Sequence, residues 1–192
     1  MEVDFGKYHH STIEESRRIR AEAEALFSTR LLSLYSSDSR LRILDAGCGL
    51  GFMCYVAAKC FPQAEITGVD IFGHESLSDG TLIQANKNME ILGIHGRVSF
   101  LEHDLTKPLY PEGHYDLAIS NLVFHNIGKK RFKAYGTVLD SLKSGGYFVI
   151  GDLFPHIGEE LKFFRGRADI VSGTGEKKPS QWAYRIIVLK KA

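Results

Sequence analysis

Three glycines at alternate positions, Gly47, Gly49 and Gly51, close the apolar start of Leu44-Asp-Ala-Gly-Cys-Gly-Leu-Gly51. So spaced, they allow a tight turn whose backbone can approach a ligand with no side chain in the way. The residues from Phe52 to Cys60 suit a helix, whose first free amide groups would face the same ligand. A dinucleotide fingerprint would need its third glycine at position 52, where this chain has Phe52. Asp45, two positions before Gly47, points the same way: a carboxylate there would repel a pyrophosphate but favour an ammonium or sulfonium charge. Two further acids, Asp70 and Asp104, close apolar runs. Taken singly, such an aspartate caps a helix or shapes a turn as readily as it binds anything. His125, in Ser120-Asn-Leu-Val-Phe-His-Asn-Ile127, has an ordinary pKa of about 6.5 that suits a base near neutrality, against the alternative of packing or hydrogen bonding in its loop.

These residues need elements to position them. Ser11 and Thr12, with Glu14 and Glu15 three residues on, make a capping-box pattern that opens a helix. Ile19, Ala23, Leu26, Phe27, Leu31 and Leu34 recur behind it at helical spacing, with Arg17, Arg18, Arg20, Glu22 and Glu24 on the other face, and the helix ends near Tyr35. Strands are expected over Leu41 to Ala46, Ile66 to Val69, Arg97 to Leu101, Tyr115 to Ser120 and Tyr147 to Ile150. Helices are expected over Met53 to Cys60, around Leu82 to Leu92 with Gly93 as its stop, and between Lys129 and Lys143, where Gly145-Gly146 breaks the last. Such alternation specifies an α/β fold with a mostly parallel, doubly wound sheet. The C-terminal part departs from it: a short helix at Glu159 to Phe164, then strands at Ala168 to Val171 and Trp182 to Leu189. With the turn-rich Ser172-Gly-Thr-Gly175 and Lys177-Lys-Pro-Ser180 between them, these form an antiparallel hairpin at one edge of a sheet of seven.

The 192 residues suffice for one domain with a full core. Lysine and arginine number 24 against 23 acids, so no global basic field advertises nucleic acid, although a local patch is left open. No apolar run approaches the roughly 18 residues that cross a bilayer. Met-Glu-Val-Asp-Phe5 has neither the basic start nor the apolar stretch of a signal peptide, and a cytoplasmic location follows by default. Cys48, Cys54 and Cys60 are an odd number with no Cys-x-x-Cys pair, which argues for reduced packing residues over a disulfide framework or a zinc site.

With these features in place, the chain resembles the class I S-adenosylmethionine-dependent methyltransferases over most of residues 41 to 190. Leu44 to Gly51 is similar to that family's first motif, Tyr115-Asp-Leu-Ala-Ile-Ser120 to its fourth, and Leu142-Lys-Ser-Gly-Gly-Tyr-Phe-Val149 to its turn into strand five. The resemblance implies S-adenosyl-L-methionine as cofactor, held at Asp45, Gly47, Cys48, Gly49, Gly51, Asp70, Ile71, Asp104, Leu105 and Ser120. Asp70 would take the ribose hydroxyls, Asp104 would face the adenine amino group, and Ile71 and Leu105 would flank the ring. Residues 1–40 then form an N-terminal helical extension or lid, and 41–192 the methyltransferase domain.

Methyl transfer from a sulfonium needs alignment and exclusion of water, with a base only where the nucleophile arrives protonated. His125 is the catalytic candidate. Asn121 resembles the first residue of the Asn-Pro-Pro-Tyr motif of amino-methylating nucleic-acid enzymes, but the prolines and aromatic are missing. Tyr8, His9 and His10 either line the acceptor site or lead into the helix. The two histidines lack further ligands at sensible spacing, so no metal is expected. Arg165 and Arg167, with Lys177 and Lys178, suit an anionic acceptor or RNA, or a solvated loop. The favoured acceptor is a small molecule. RNA or protein as acceptor and a non-catalytic cofactor-binding partner subunit are the alternatives, and a homo-oligomer is left open.

Overall fold

Ile43 and Leu44 are neighbours in β1 (Arg42–Ala46) and both are fully buried, yet they belong to different cores. Successive side chains of a strand point to opposite faces, so a strand buried on both sides must be apolar at consecutive positions. The computed structural model, which describes residues 2–9, 11–72, 81–154, 157–173 and 184–192, builds the protein around this strand.

Seven strands form one sheet in the order β3-β2-β1-β4-β5-β7-β6, where β2 is Glu65–Asp70, β3 Val98–Glu102, β4 Tyr115–Asn121, β5 Leu142–Leu153, β6 Ala168–Gly173 and β7 Tyr184–Lys191. The first five are parallel, with Ile43 opposite Ile66 and Leu117, while β7 runs antiparallel to both β5 and β6. The expected architecture is therefore present, antiparallel edge included. Chain order turns outward in both directions from between β1 and β4, the place where an open parallel sheet leaves a crevice beyond its strand ends.

Helices α1 (Ile13–Leu34), α2 (Phe52–Cys60) and α3 (Leu82–Ile91) cover one face, where Phe27, Leu31, Val56, Phe61 and Met89 meet Ile43, Ile66 and Val149. Helix α5 (Arg131–Ser141) and α6 (Ile157–Phe164) cover the other, where Tyr135, Val138 and Phe164 meet Leu44, Phe148 and Ile187. Burial of each such large side chain contributes about 1.5–3 kcal/mol. The capping box opens α1 as expected: Thr12 Oγ1 accepts from Glu15 N–H, and a Glu15 carboxylate oxygen accepts from Thr12 N–H at 2.7 Å.

Three expectations are corrected. Arg20 leaves the polar face of α1 and lies buried, while Leu26 is exposed on that helix. A short helix, α4 (Phe124–Ile127), precedes α5 where a loop was expected. Strand β5 runs through Gly145-Gly146, with a register irregularity against β4 between Tyr115 and Leu117, and continues to Leu153. His10, Thr174, Gly175, Lys177, Lys178, Pro179, Ser180 and Trp182 lie outside the described residues. None of the described helices is long and apolar enough to cross a membrane.

Candidate active site

The glycine turn is held from below by β2. Gly47 N–H and Cys48 N–H both donate to Val69 O, and Gly49 N–H donates to Asp70 Oδ2 at 2.9 Å. Gly47 has φ +81°, and a Cβ there would lie 2.4 Å from Val123 Cγ2, so both its conformation and its closeness to the start of α4 demand glycine. Above this turn, at the C-terminal ends of the parallel strands, opens a cavity of about 710 Å³.

Of the residues singled out in the sequence, Gly47, Cys48, Gly49, Asp70, Ile71, Asp104, Leu105 and His125 line this cavity, as do Tyr8, His9 and Asn121. Three others do not. Gly51, with φ +85°, sits at the entry to α2. Ser120 is buried and donates to Ala46 O at 2.7 Å, tying β4 to β1. Asp45 is wholly buried: its Oδ2 accepts from Cys54 Sγ at 3.1 Å, its Oδ1 has no partner, and burial pushes its pKa up to about 7. Burial likewise drives the Cys48 and Cys54 thiols well above their usual range, and all three cysteines are free. Arg165 and Arg167 lie away from the cavity, Arg167 stacking on the Phe163 ring at 4.4 Å.

Asp70 and Asp104 both end strands, but they are braced differently. Asp70 Oδ1 accepts from Phe72 N–H at 3.0 Å and Oδ2 from Gly49 N–H, so each oxygen keeps a lone pair for a ligand. Asp104 Oδ1 takes both donors of Thr106, N–H at 2.9 Å and O–H at 2.8 Å, and these bonds hold its carboxyl below the ordinary carboxylate range.

Behind His125 of the cavity wall stands a buried acid that the sequence did not disclose. Asp152, near the end of the lengthened β5 and only 1% exposed, accepts from His125 Nδ1 at 2.5 Å, from Phe124 N–H at 2.7 Å, from His125 N–H at 3.3 Å and from its own neighbour Leu153 N–H at 2.7 Å. It thus caps α4 from across the sheet, a helix whose own N-cap residue, Val123, supplies no side-chain bond. With Nδ1–H given to Asp152, Nε2 is the ring nitrogen left to accept a proton. Tyr184 of β7 was also missed; its hydroxyl donates to Asn121 Oδ1 at 2.7 Å. The only signal for Asp152 was an acid after the apolar run Phe148-Val-Ile150.

The remaining wall comes from the N-terminus. Phe5 packs edge-on against Phe52 with ring centroids 5.3 Å apart, and Asn88, fully buried on α3, ties this segment to the turn. Its Nδ2 donates to Asp4 O at 2.7 Å and to Leu50 O at 3.0 Å, while its Oδ1 accepts from Asp4 N–H at 3.1 Å. Among the described residues no group of three or more His, Cys, Asp or Glu side chains is placed to hold a metal ion.

Sequence comparison shows which family carries this turn and these strand-end carboxylates. Residues 37–184 match the family described as "Methyltransferase domain". The chain belongs to that family. A malonyl-[acyl-carrier protein] O-methyltransferase from Priestia megaterium is 32% identical over 143 residues, covering 69% of this chain and 48% of that protein. A ribosomal RNA small subunit methyltransferase C from Cronobacter sakazakii is 26% identical over 172 residues, covering 86% of this chain and 46% of that protein. The chain thus spans about half the length of the curated relatives it matches. A solved S-adenosylmethionine-dependent methyltransferase from Mesorhizobium loti shares the fold with a TM-score of 0.66 at 18% identity, over 85% of this chain and 96% of that one.

S-adenosyl-L-methionine is the cofactor that this methyltransferase family and fold imply, and the residues present fit it. The Gly47–Gly51 turn presents bare backbone to the cavity, Asp70 keeps acceptor capacity on both oxygens, and Leu105 offers apolar surface beside Asp104.

Proposed function

We propose that this methyltransferase domain transfers a methyl group to a small-molecule acceptor whose nucleophile arrives protonated, with His125 as base and Asp152 as the residue that positions it. The His125 Nδ1 to Asp152 Oδ1 bond at the cavity wall is the observation that carries this reading. S-adenosylmethionine, when bound, supplies an electrophilic methyl group. The turn at Gly47–Gly51 and Asp70 would hold its ribose side, with Ile71, Asp104 and Leu105 around the base. Asp152 fixes the imidazole tautomer and stabilises the imidazolium formed when Nε2 takes the proton. The N-terminal segment excludes water by walling the cavity with Phe5 and Tyr8.

A small acceptor is supported by that wall, whose Phe5 and Tyr8 line the half-open cavity from the N-terminal side. The relatives named for ribosomal RNA give the alternative acceptor. Against it, Asn121 is already engaged by Tyr184.

Two experiments test the reading. His125→Ala and Asp152→Asn should each reduce turnover by roughly 10²-fold or more in single-turnover methylation of hydroxyl- and thiol-bearing acceptors, with the affinity for S-adenosylhomocysteine unchanged. Rescue of His125→Ala by added imidazole would separate a base from a packing residue, and normal specific activity in both variants would refute the assignment. Asp70→Ala should weaken S-adenosylhomocysteine binding by about 1–3 kcal/mol in calorimetry; unchanged affinity would remove its ribose role.

A further inference from the structure

Leu26 belongs by its spacing to the apolar side of α1, yet it is 46% exposed. It lines the active-site cavity with Ile19 and Ala23 of the same helix. Ile19, Ala23 and Leu26 follow one another at steps of four and three residues, so they share one side of the helix. At the rise of an α-helix the stripe is about 10 Å long. Glu22, beside it on the cavity wall, is exposed and disfavours an anionic group there.

Two strand ends carry the same wall onto the sheet. Val149 of β5 packs in the core beneath α1, and alternation along the strand puts Leu153 on that face as well. Opposite Leu153 in β7 is Tyr184, and both line the cavity. Gly151 makes room for this pair: a Cβ there would lie 2.2 Å from the Tyr184 hydroxyl oxygen and 2.7 Å from the Phe27 ring. Through that space Tyr184 donates to Asn121 Oδ1 at 2.7 Å, and burial raises the pKa of its hydroxyl, which stays neutral. Its donor is thereby spent within the protein.

Apolar side chains that stay accessible on the wall of a cavity gain their burial only from a ligand that covers them. We propose that Ile19, Ala23, Leu26 and Leu153 form the binding site for an uncharged alkyl body of the acceptor, in the same cavity as His125. The inference rests on the methyl-transfer reading, which makes the occupant of this wall the methyl acceptor.

The test uses the full chain saturated with S-adenosylhomocysteine, titrated by calorimetry with the straight-chain alcohols from butanol to octanol. Affinity should rise about fourfold with each added methylene. Leu26→Asp should flatten that rise and weaken octanol by about tenfold or more, with S-adenosylhomocysteine affinity as in the wild type. Equal affinity along the series, or undiminished octanol binding by the variant, overturns the proposal. Should the variant fail to fold, carbon-13 methyl spectra of the wild type decide. Octanol should move the resonances of Ile19, Ala23 and Leu26 and leave that of Leu101, which is 42% exposed on β3 and does not line the cavity; equal movement of Leu101 and Leu26 overturns the site. Failure of the methyl-transfer reading looks different. S-adenosylhomocysteine would not bind, or His125→Ala would keep normal turnover, while the same dependence on chain length in the ligand-free protein would uphold the apolar site.

Discussion

Asp152 and Asp45 are both buried carboxyl groups near the ends of strands, and their surroundings set them to opposite uses. Asp152 collects four donors and serves as an anchor. Asp45 has one weak thiol donor and an oxygen with none, so burial raises its pKa from an ordinary 3.8 to about 7. The consequence for stability has a definite sign. Between about pH 4 and about pH 7 the native protein keeps a proton on Asp45 that the unfolded chain has released, so this residue's contribution declines as pH rises through that window. Asp45→Asn should abolish that decline and leave the variant more stable relative to wild type at pH 8 than at pH 5, by an amount on the order of a few kcal/mol. Urea unfolding at a series of pH values measures it; parallel curves for the two proteins would show that Asp45 titrates normally. The sequence showed that an acid stood inside the glycine motif but not that it lay beneath the turn, because one residue's shift along a strand changes the face its side chain takes.

At the level of elements, the glycine turn, the strand-end acids and the capping box were legible because each depends on a few neighbouring residues. Gly47 illustrates how tightly such a turn is specified. Gly47→Ala must accept φ +81° and a contact with Val123, at a cost of about 1–3 kcal/mol, and should shift the start of α4 where His125 sits. Thermal unfolding and turnover should therefore fall together; a variant of wild-type stability would show that the turn relaxes freely. What local pattern concealed was Arg20 and β5. Arg20 falls in a charged run that reads as a solvated face, and its burial comes from contact with the Phe5 and Gly6 carbonyls, fifteen and fourteen residues away, and with the Tyr8 and Phe52 rings. The extension of β5 past Ile150 is fixed by pairing with β7, where Asp152 lies opposite Arg185, a partner remote in the chain.

For the molecule as a whole, the mostly parallel sheet followed from the alternation of strands and helices, and the antiparallel edge from the break in that alternation after β5. The N-terminal wall of the site did not, since it depends on where that segment lies against the ends of the strands. A chain shortened to begin at Thr12 keeps every strand and the two cores but loses the wall that Phe5 and Tyr8 provide. Its far-ultraviolet circular dichroism should match the full chain's, with S-adenosylhomocysteine affinity reduced by about 1–3 kcal/mol from the lost contacts; full affinity would show that the segment plays no part in ligand binding. Asn88 gives this arrangement an observable of its own. One side-chain amide donates to Asp4 on the wall and to Leu50 in the floor, and it is buried from solvent. In isotope-labelled protein its NH₂ resonances should exchange slowly with water and move on ligand addition, making Asn88 an internal probe that reads wall and floor in a single signal.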